Sequence, residues 1–289
     1  MMEQLVTGID IGGTHITVCR VDLNTMEIVE TSRFRSDLDP SQSKEKVIES
    51  WAAPIKACSD LHGTSIGHIG IAMPGPFDYE NGISLIKGLH KYESLYGLNI
   101  KELLGAALNI PATDIRMMND ATAFLLGEWQ AGAGKGCKNI VGITLGTGLG
   151  SACCFNDIME DGDLYCMPYG KGNAEDLLCA RWFINEYERR TGLKISNVKE
   201  LALRSGTDIT ALQLFEEFGH TLGDVLVKRY AAGFPEHIII GGNIAKSWNL
   251  FQPFCETALQ RQGHTASLLP AELGEDAALI GAACLWKDN

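Results

Sequence analysis

Basic residues are scarce in this sequence. Lys and Arg number 24 against 36 Asp and Glu, a net charge of -12 at pH 7. Gripping a nucleic-acid backbone or an anionic bilayer draws on clustered Lys and Arg, so this balance argues against both partners. It leaves room for a small anionic ligand held by backbone amides. No apolar run approaches the ~18 residues of a membrane span. The opening MMEQLVTGID lacks the basic region, apolar region and cleavage site of a secretory signal. A cytoplasmic protein is the expectation. No C-x-x-C pair occurs among the nine cysteines, Cys19, Cys58, Cys137, Cys153, Cys154, Cys166, Cys179, Cys255 and Cys284. The odd count and the absence of C-x-x-C spacing argue against a disulfide scaffold and a structural zinc site. Most of these thiols read as small buried hydrophobes. What remains is a globular composition, 45% hydrophobic and 21% charged over 289 residues, enough for one large domain or two smaller ones.

Short β-branched runs at 4–10, 15–21 and 26–34 predict an antiparallel meander. A helix over 41–60 presents Val47, Ile48, Trp51, Ile55 and Cys58 on one face, with Ser41 as a candidate cap and Pro54 as a candidate kink. A buried strand follows at 68–73, a helix at 99–108, a strand at 114–118 and a helix at 121–130. The second half repeats the pattern, with strands at 139–145 and 151–155, helices at 175–190 and 212–231, a buried strand at 237–240 and a last helix at 276–286. Strands leading into helices twice over predict two α/β units with a cleft between them.

Three glycine-bearing turns each follow an apolar strand. In Asp10-Ile11-Gly12-Gly13-Thr14 the glycines let the backbone approach a ligand and turn its amides inward. A carboxylate beside a phosphate site makes chemical sense when Mg²⁺ lies between them; an ordinary hairpin turn is the plainer alternative. Gly146-Thr147-Gly148-Leu149-Gly150 has the spacing G-x-G-x-G and precedes a strand, which excludes a dinucleotide fingerprint. No Walker-type G-x-x-x-x-G-K-S/T is present. A Gly-Thr-Gly hairpin can still cradle a terminal phosphate. Gly241-Gly242-Asn243, after a buried strand, is the third turn; a strand end there could lie against an adenosine moiety, but on these residues alone a simple turn is the favoured reading.

Met118-Asn119-Asp120-Ala121 sets an Asn-Asp pair between a strand and a helix. Either residue serves as a helix N-cap; a carboxylate there also serves as general base for a hydroxyl attacking a phosphoryl group. Met73-Pro74-Gly75-Pro76 ends another buried strand in a rigid turn.

In order along the chain, Asp-x-Gly-Gly-Thr, Pro-Gly-Pro, Asn-Asp-Ala, Gly-Thr-Gly, strand-Gly-Gly and a closing Asp276-Ala277-Ala278-Leu279-Ile280-Gly281-Ala282-Ala283 resemble the ROK family (repressors, open reading frames and sugar kinases) of the actin/hexokinase-like ATPase class. The resemblance spans roughly residues 5–286. It implies an α/β fold of two ribonuclease H-like (actin-like ATPase) lobes with a cleft between them. The expected lobes are a small one over 1–118, onto which a helix at 276–289 packs back, and a larger one over 119–275. It implies an ATP-dependent kinase that transfers the γ-phosphoryl of Mg-ATP to a hydroxyl of a hexose or hexose derivative, usually the 6-OH. Asp10, Gly12, Gly13 and Thr14 match the first phosphate motif, with Asp10 near Mg²⁺ through phosphate and water. Gly146, Thr147 and Gly148 match the second phosphate motif, and Gly241 and Gly242 the adenosine segment. Asp120 matches the catalytic base and Asn119 a sugar-binding Asn, with Gly75 on the substrate side. ROK kinases are often dimers or tetramers, so a homo-oligomer, a dimer first, is expected.

ROK kinases usually carry Glu-x-Gly-His, a cysteine-rich zinc loop and then a Glu ahead of a helix. At 162–168 this chain has Asp163 in place of the sugar-binding Glu, Tyr165 in place of Gly and Cys166 in place of His, and YGKGNA alone leads on to Glu175. One cysteine and no histidine cannot supply four ligands, so zinc is not expected. Glu175 matches the second sugar-contacting Glu, although an acid in a helix's first turn also complements the macrodipole. The family's Asn-containing sugar loop is not recognisable around 88–91, where His90 and Lys91 stand as substrate contacts or as an exposed pair. The changes at Asp163, Tyr165 and Cys166 keep open a sugar- or nucleotide-binding protein without transfer activity. ROK repressors add a helix-turn-helix domain before the first phosphate motif, and the few residues ahead of Asp10 set the expectation against that role.

Overall fold

The computed structural model describes residues 4–60, 65–88 and 91–287. The chain divides into two compact units, 1–132 with 275–289 and 133–274. In the first, β1 (Leu5–Ile11), β2 (His15–Asp22) and β3 (Glu27–Asp37) form the expected meander. Helix α1 (Lys44–Asp60) leads to β4 (Ile69–Met73), parallel to β1 and buried at every position. A two-residue hairpin of β5 (Phe77–Asp78) and β6 (Ile83–Ser84) precedes α2 (Ile100–Leu108), β7 (Ile115–Asn119) and α3 (Asp120–Ala131). The sheet order is β3-β2-β1-β4-β7. Helix α1 runs through Pro54, and Ser41 lies outside it, donating to Asp39 at 2.6 Å.

The two faces of this sheet are packed by different means. On one, Val47, Trp51 and Ile55 of α1 and Leu104 and Leu108 of α2 cover Ile9, Ile11, Ile16, Val18 and Ile71. Side chains alternate along a strand, so Gly8 and Asp10 face the other way, together with Gly70 and Ala72 on β4. There α3 and the C-terminal helix Asp276–Ala283 pack through small residues, Ala72, Ala123 and Ala282 among them. A side chain on Gly8 would strike the carbonyl of Leu279, and one on Gly70 that of Ala282. Between the helices, Gly127 meets the Ala277 backbone and Gly281 the Ala123 backbone. Because α3 is seated on the C-terminal helix, it groups with the first unit. The division falls after Gly132, later than the 118/119 boundary expected from the sequence, and the two units are of similar length.

The second unit repeats the strand plan with different packing. Its strands β8 (Ile140–Leu145), β9 (Leu149–Phe155) and β10 (Ile158–Asp161) are antiparallel. A small hairpin of β11 (Pro168–Tyr169) and β12 (Gly172–Asn173) leads to α4 (Ala180–Thr191), α5 (Val198–Arg204) and α6 (Ile209–Tyr230). Then come β13 (His237–Gly241), α7 (Trp248–Arg261) and β14 (Ser267–Pro270). The sheet order is β10-β9-β8-β13-β14, with β8, β13 and β14 parallel. This is the first sheet's plan again, three antiparallel strands followed by two parallel ones. The core here is aromatic, with Phe183, Phe215, Phe218 and Phe251 in mutual contact. The helix expected at 175–190 begins only at Ala180, because Ala174–Asp176 forms a separate turn of 3-10 helix. The helix expected at 212 begins at Ile209, where Asp208 accepts from the amides of Thr210 and Ala211. Seven of the nine cysteines are buried, Cys137 is half-buried and Cys166 is exposed. No helix among the described residues is long and apolar enough to cross a membrane.

Gly281→Val places two methyl groups where the Ala123 backbone lies. Overpacking of this kind costs roughly 1–3 kcal/mol, more where backbone must move. Urea unfolding should show a lowered midpoint, and an unchanged midpoint would contradict the backbone contact.

Candidate active site

Three of the sequence-predicted segments in the first unit end on one edge of its sheet. Register aligns Asp10 of β1 with Ala72 of β4, Ala72 with Met118 of β7, and Met73 with Asn119. Asp10, the Met73–Pro76 turn and the Asn119–Asp120 pair therefore meet at the carboxyl ends of three parallel strands, the place where α/β sheets bind ligands. Asn119 is the N-cap of α3, its Oδ1 accepting from Ala121 N at 2.8 Å and Thr122 N at 3.2 Å. That cap fixes the amide orientation and aims Nδ2 at the Tyr79 hydroxyl, 3.4 Å away. Tyr79 in turn donates to Met73 O at 2.9 Å, and its hydroxyl borders Gly75. Asp120 opens α3, its Oδ1 also in reach of Ala121 N.

The same geometry explains the charge state of Asp10. Its side chain turns toward the face where α3 and the C-terminal helix pack. Burial and then the Asp120 carboxylate push its pKa up to about 7, with Arg35 offsetting part of the rise and Glu275 adding to it. Arg35 is itself paired with Glu275 at 2.9 Å. A half-buried carboxyl beside a second carboxylate is suitable donor chemistry for a hard divalent cation, which takes carboxylate, water and phosphate oxygens together. Beyond Asp10, Gly12 N donates to His15 O at 2.9 Å and closes the β1–β2 turn, with Thr14 exposed at its tip. His15 Nδ1 lies 3.5 Å from the Thr14 hydroxyl, and burial, aided by Arg35, lowers the His15 pKa.

In the second unit, Gly146, Thr147 and Gly148 form the β8–β9 turn, the counterpart of the β1–β2 turn in the repeated strand plan. Gly146 N donates to Gly148 O at 3.0 Å. Glu175 reaches this turn, its Oε2 accepting from Leu149 N at 3.0 Å and lying where a side chain on Gly148 would go. Gly241 pairs with Thr144 at the end of β13. Gly242 has φ 88 and presses on the Leu145 backbone, so both conformation and space demand glycine. The third glycine segment thus borders the second. Asp163 is exposed at φ 50, its N donating to Asp161 Oδ1 and its carbonyl accepting from Cys166 Sγ. Arg229 holds this segment through Gly162 O at 3.1 Å.

His90 lies outside the described residues, and Lys91 is half-buried. No group of three or more His, Cys, Asp or Glu among the described residues is placed to hold a metal ion. Two residues that the sequence reading passed over, Tyr79 and Tyr92, anchor the turns: Tyr92 donates its hydroxyl to Gly12 O at 2.6 Å. No local motif marks either: Tyr79 bonds back to Met73 within its own turn and meets Asn119 forty positions on, and Tyr92 bonds Gly12 across 80 positions.

The ROK family model matches residues 6–165 and 172–289. The unmatched stretch falls within the segment that departs from the Glu-x-Gly-His pattern. The glucokinase of Thermotoga maritima is 28% identical over 325 aligned positions that take in all of this chain and 99% of that one. An N-acetyl-D-glucosamine kinase of Photobacterium profundum is 22% identical over 307 positions, covering 96% of this chain and 98% of its own. The crystal structure of a ROK family glucokinase from Streptomyces griseus in complex with glucose and AMPPNP superposes with a TM-score of 0.79 at 23% identity, covering 97% of this chain and 98% of that one. The fold is that of the ROK glucokinases, an actin-like ATPase fold.

Asp10→Asn provides a test of the carboxylate pair. A pKa raised on folding means that the native state holds a proton which the unfolded chain releases, so stability falls as pH rises from about 4 to about 7. The Asn variant should therefore melt above wild type at pH 8, with the gap narrowing as pH falls to 5. A gap independent of pH would remove the raised pKa of Asp10, to which burial contributes first and the Asp120 carboxylate second.

Proposed function

The chain belongs to the ROK family, and on that premise we propose that it is an ATP-dependent sugar kinase, transferring the γ-phosphoryl of Mg-ATP to the 6-OH of a hexose or hexose derivative. The observation that carries this reading is the meeting of Asp10 and Asp120 at the carboxyl ends of parallel strands, beside a glycine turn. Asn119 already caps α3, so Asp120 is not needed as the N-cap. We assign it as general base. It takes the proton of the acceptor hydroxyl while that oxygen forms its bond to the γ-phosphorus and the bond to the ADP oxygen breaks.

The other residues bind and orient. Gly12 N and Gly146 N are spent within their own turns, so we assign the remaining N–H groups of Gly12–Thr14 and Gly146–Gly148 to the phosphates and Gly241 and Gly242 to the nucleoside. Asn119 Nδ2 and the Gly75 turn hold the sugar on the acceptor side. Glu175 spends Oε2 on Leu149 N, which leaves Oε1 for a ligand hydroxyl. Asp163 is the other acidic candidate for the sugar. Mg²⁺ would be held near Asp10 through water and would neutralise phosphate charge. Selectivity between epimers rests on hydrogen bonds to single hydroxyls, and the relatives named above bear the names of two different sugar kinases.

ADP release from Mg-ATP across glucose, mannose, fructose, allose, glucosamine and their N-acetyl forms tests the proposal. At least one sugar should give turnover, and Asp120→Asn should lower it by about 10²–10⁴-fold with the melting temperature preserved. Full activity in the variant would remove Asp120 as base. Sugar binding by calorimetry without ADP release would replace the kinase by a binding protein.

A further inference from the structure

Tyr92 has no part in the chemistry above, yet it is held by unusual means. Its ring is fully buried, edge-on to Trp51 with centroids 5.3 Å apart. Its backbone is left-handed at φ 52, a conformation that a bulky residue keeps only where its surroundings impose it. Two long-range bonds impose it here. The amide donates to Pro40 O at 2.9 Å, and the hydroxyl donates to Gly12 O at 2.6 Å. Burial pushes the phenol pKa up, so the group stays a donor at any working pH.

The Gly12 carbonyl shares one peptide unit with the Gly13 N–H. That unit is planar and trans, so its C=O and N–H point in opposite directions. Tyr92 belongs to the core cluster with Ile11, Ile16 and Trp51. A Gly12 carbonyl turned inward to Tyr92 therefore turns the Gly13 N–H outward. The surroundings of Gly13 are open, for a side chain there would meet nothing within 4 Å. A Gly-Gly link offers little resistance to rotation of the peptide between its two residues. Rotated, it would present a carbonyl oxygen in place of the N–H and would repel an anion.

We propose that Tyr92 is a positioning residue that locks the Gly12–Gly13 peptide with its N–H outward, so that the turn accepts a phosphoryl oxygen. The proposal rests on the nucleotide reading of this turn. Tyr92→Phe keeps the ring and removes only the lock. Its dissociation constant for Mg-AMP-PNP by calorimetry should rise about 3–10-fold, the effect of one lost hydrogen bond. Affinity for glucose or N-acetylglucosamine, whichever the wild type takes, should stay within about twofold. Unchanged nucleotide affinity would overturn the proposal, and so would equal weakening of nucleotide and sugar, the mark of general loosening. In the wild type the Gly13 amide resonance should move on addition of Mg-AMP-PNP; a silent Gly13 overturns the proposal whether or not the variant folds. A wild type that binds nucleotide and moves Gly13 but releases no ADP with any sugar would remove the kinase reading and leave the role of Tyr92 standing.

Discussion

Backbone lies against backbone where the C-terminal helix meets the first sheet, and the placement of the candidate residues in that unit depends on it. Gly8 and Gly70 on the strands, and Gly127 and Gly281 on the helices, lack side chains at points where a carbonyl occupies the space. The close seating draws α3 and the C-terminal helix onto the face that carries Asp10. It brings Asp120 and Glu275 near enough to act on the Asp10 charge. Larger residues at those points would lift the helices and part the two carboxylates.

The electrostatics of that edge run against ordinary stability. Two carboxylates face each other with Arg35 already committed to Glu275. Such an arrangement is tolerated where a cation and a phosphate complete it, and perturbed carboxyl groups of this kind gather at functional sites. The chain's acidic balance is consistent with that economy. The glycine turns offer amides, and lysine-rich surfaces play no part in the anion site we assign.

Much of the architecture was legible because it is periodic or punctuated. The all-apolar run ending at Met73 and the two glycine hairpins fall where the sequence places them. Asp10 and Asp120 were legible as singular carboxylates at strand ends, but their mutual repulsion was not, since it depends on strand register. Strands β10 and β14 and helix α5 were missed because they are short, and helix α7 because Pro253 interrupts its pattern. The division after Gly132 was missed because nothing in the composition near it marks a linker; the seating of α3 on a helix far along the chain sets it. Tyr92 was invisible because its meaning lies in one hydrogen bond across 80 positions.

The first unit is also discontinuous, its last segment following the whole of the second in the chain. On the ribosome the contiguous unit of 133–274 can complete its core as it emerges, whereas the earlier-made sheet waits with its glycine-lined face uncovered. Chains generally acquire structure in the order of synthesis, and here that order is inverted for the part bearing Asp10 and Asp120. The nascent chain carries that unfinished face until residues 276–283 have emerged. The part bearing Asp10 and Asp120 is therefore finished only after the whole of 133–274 has been made and the helix Asp276–Ala283 has docked.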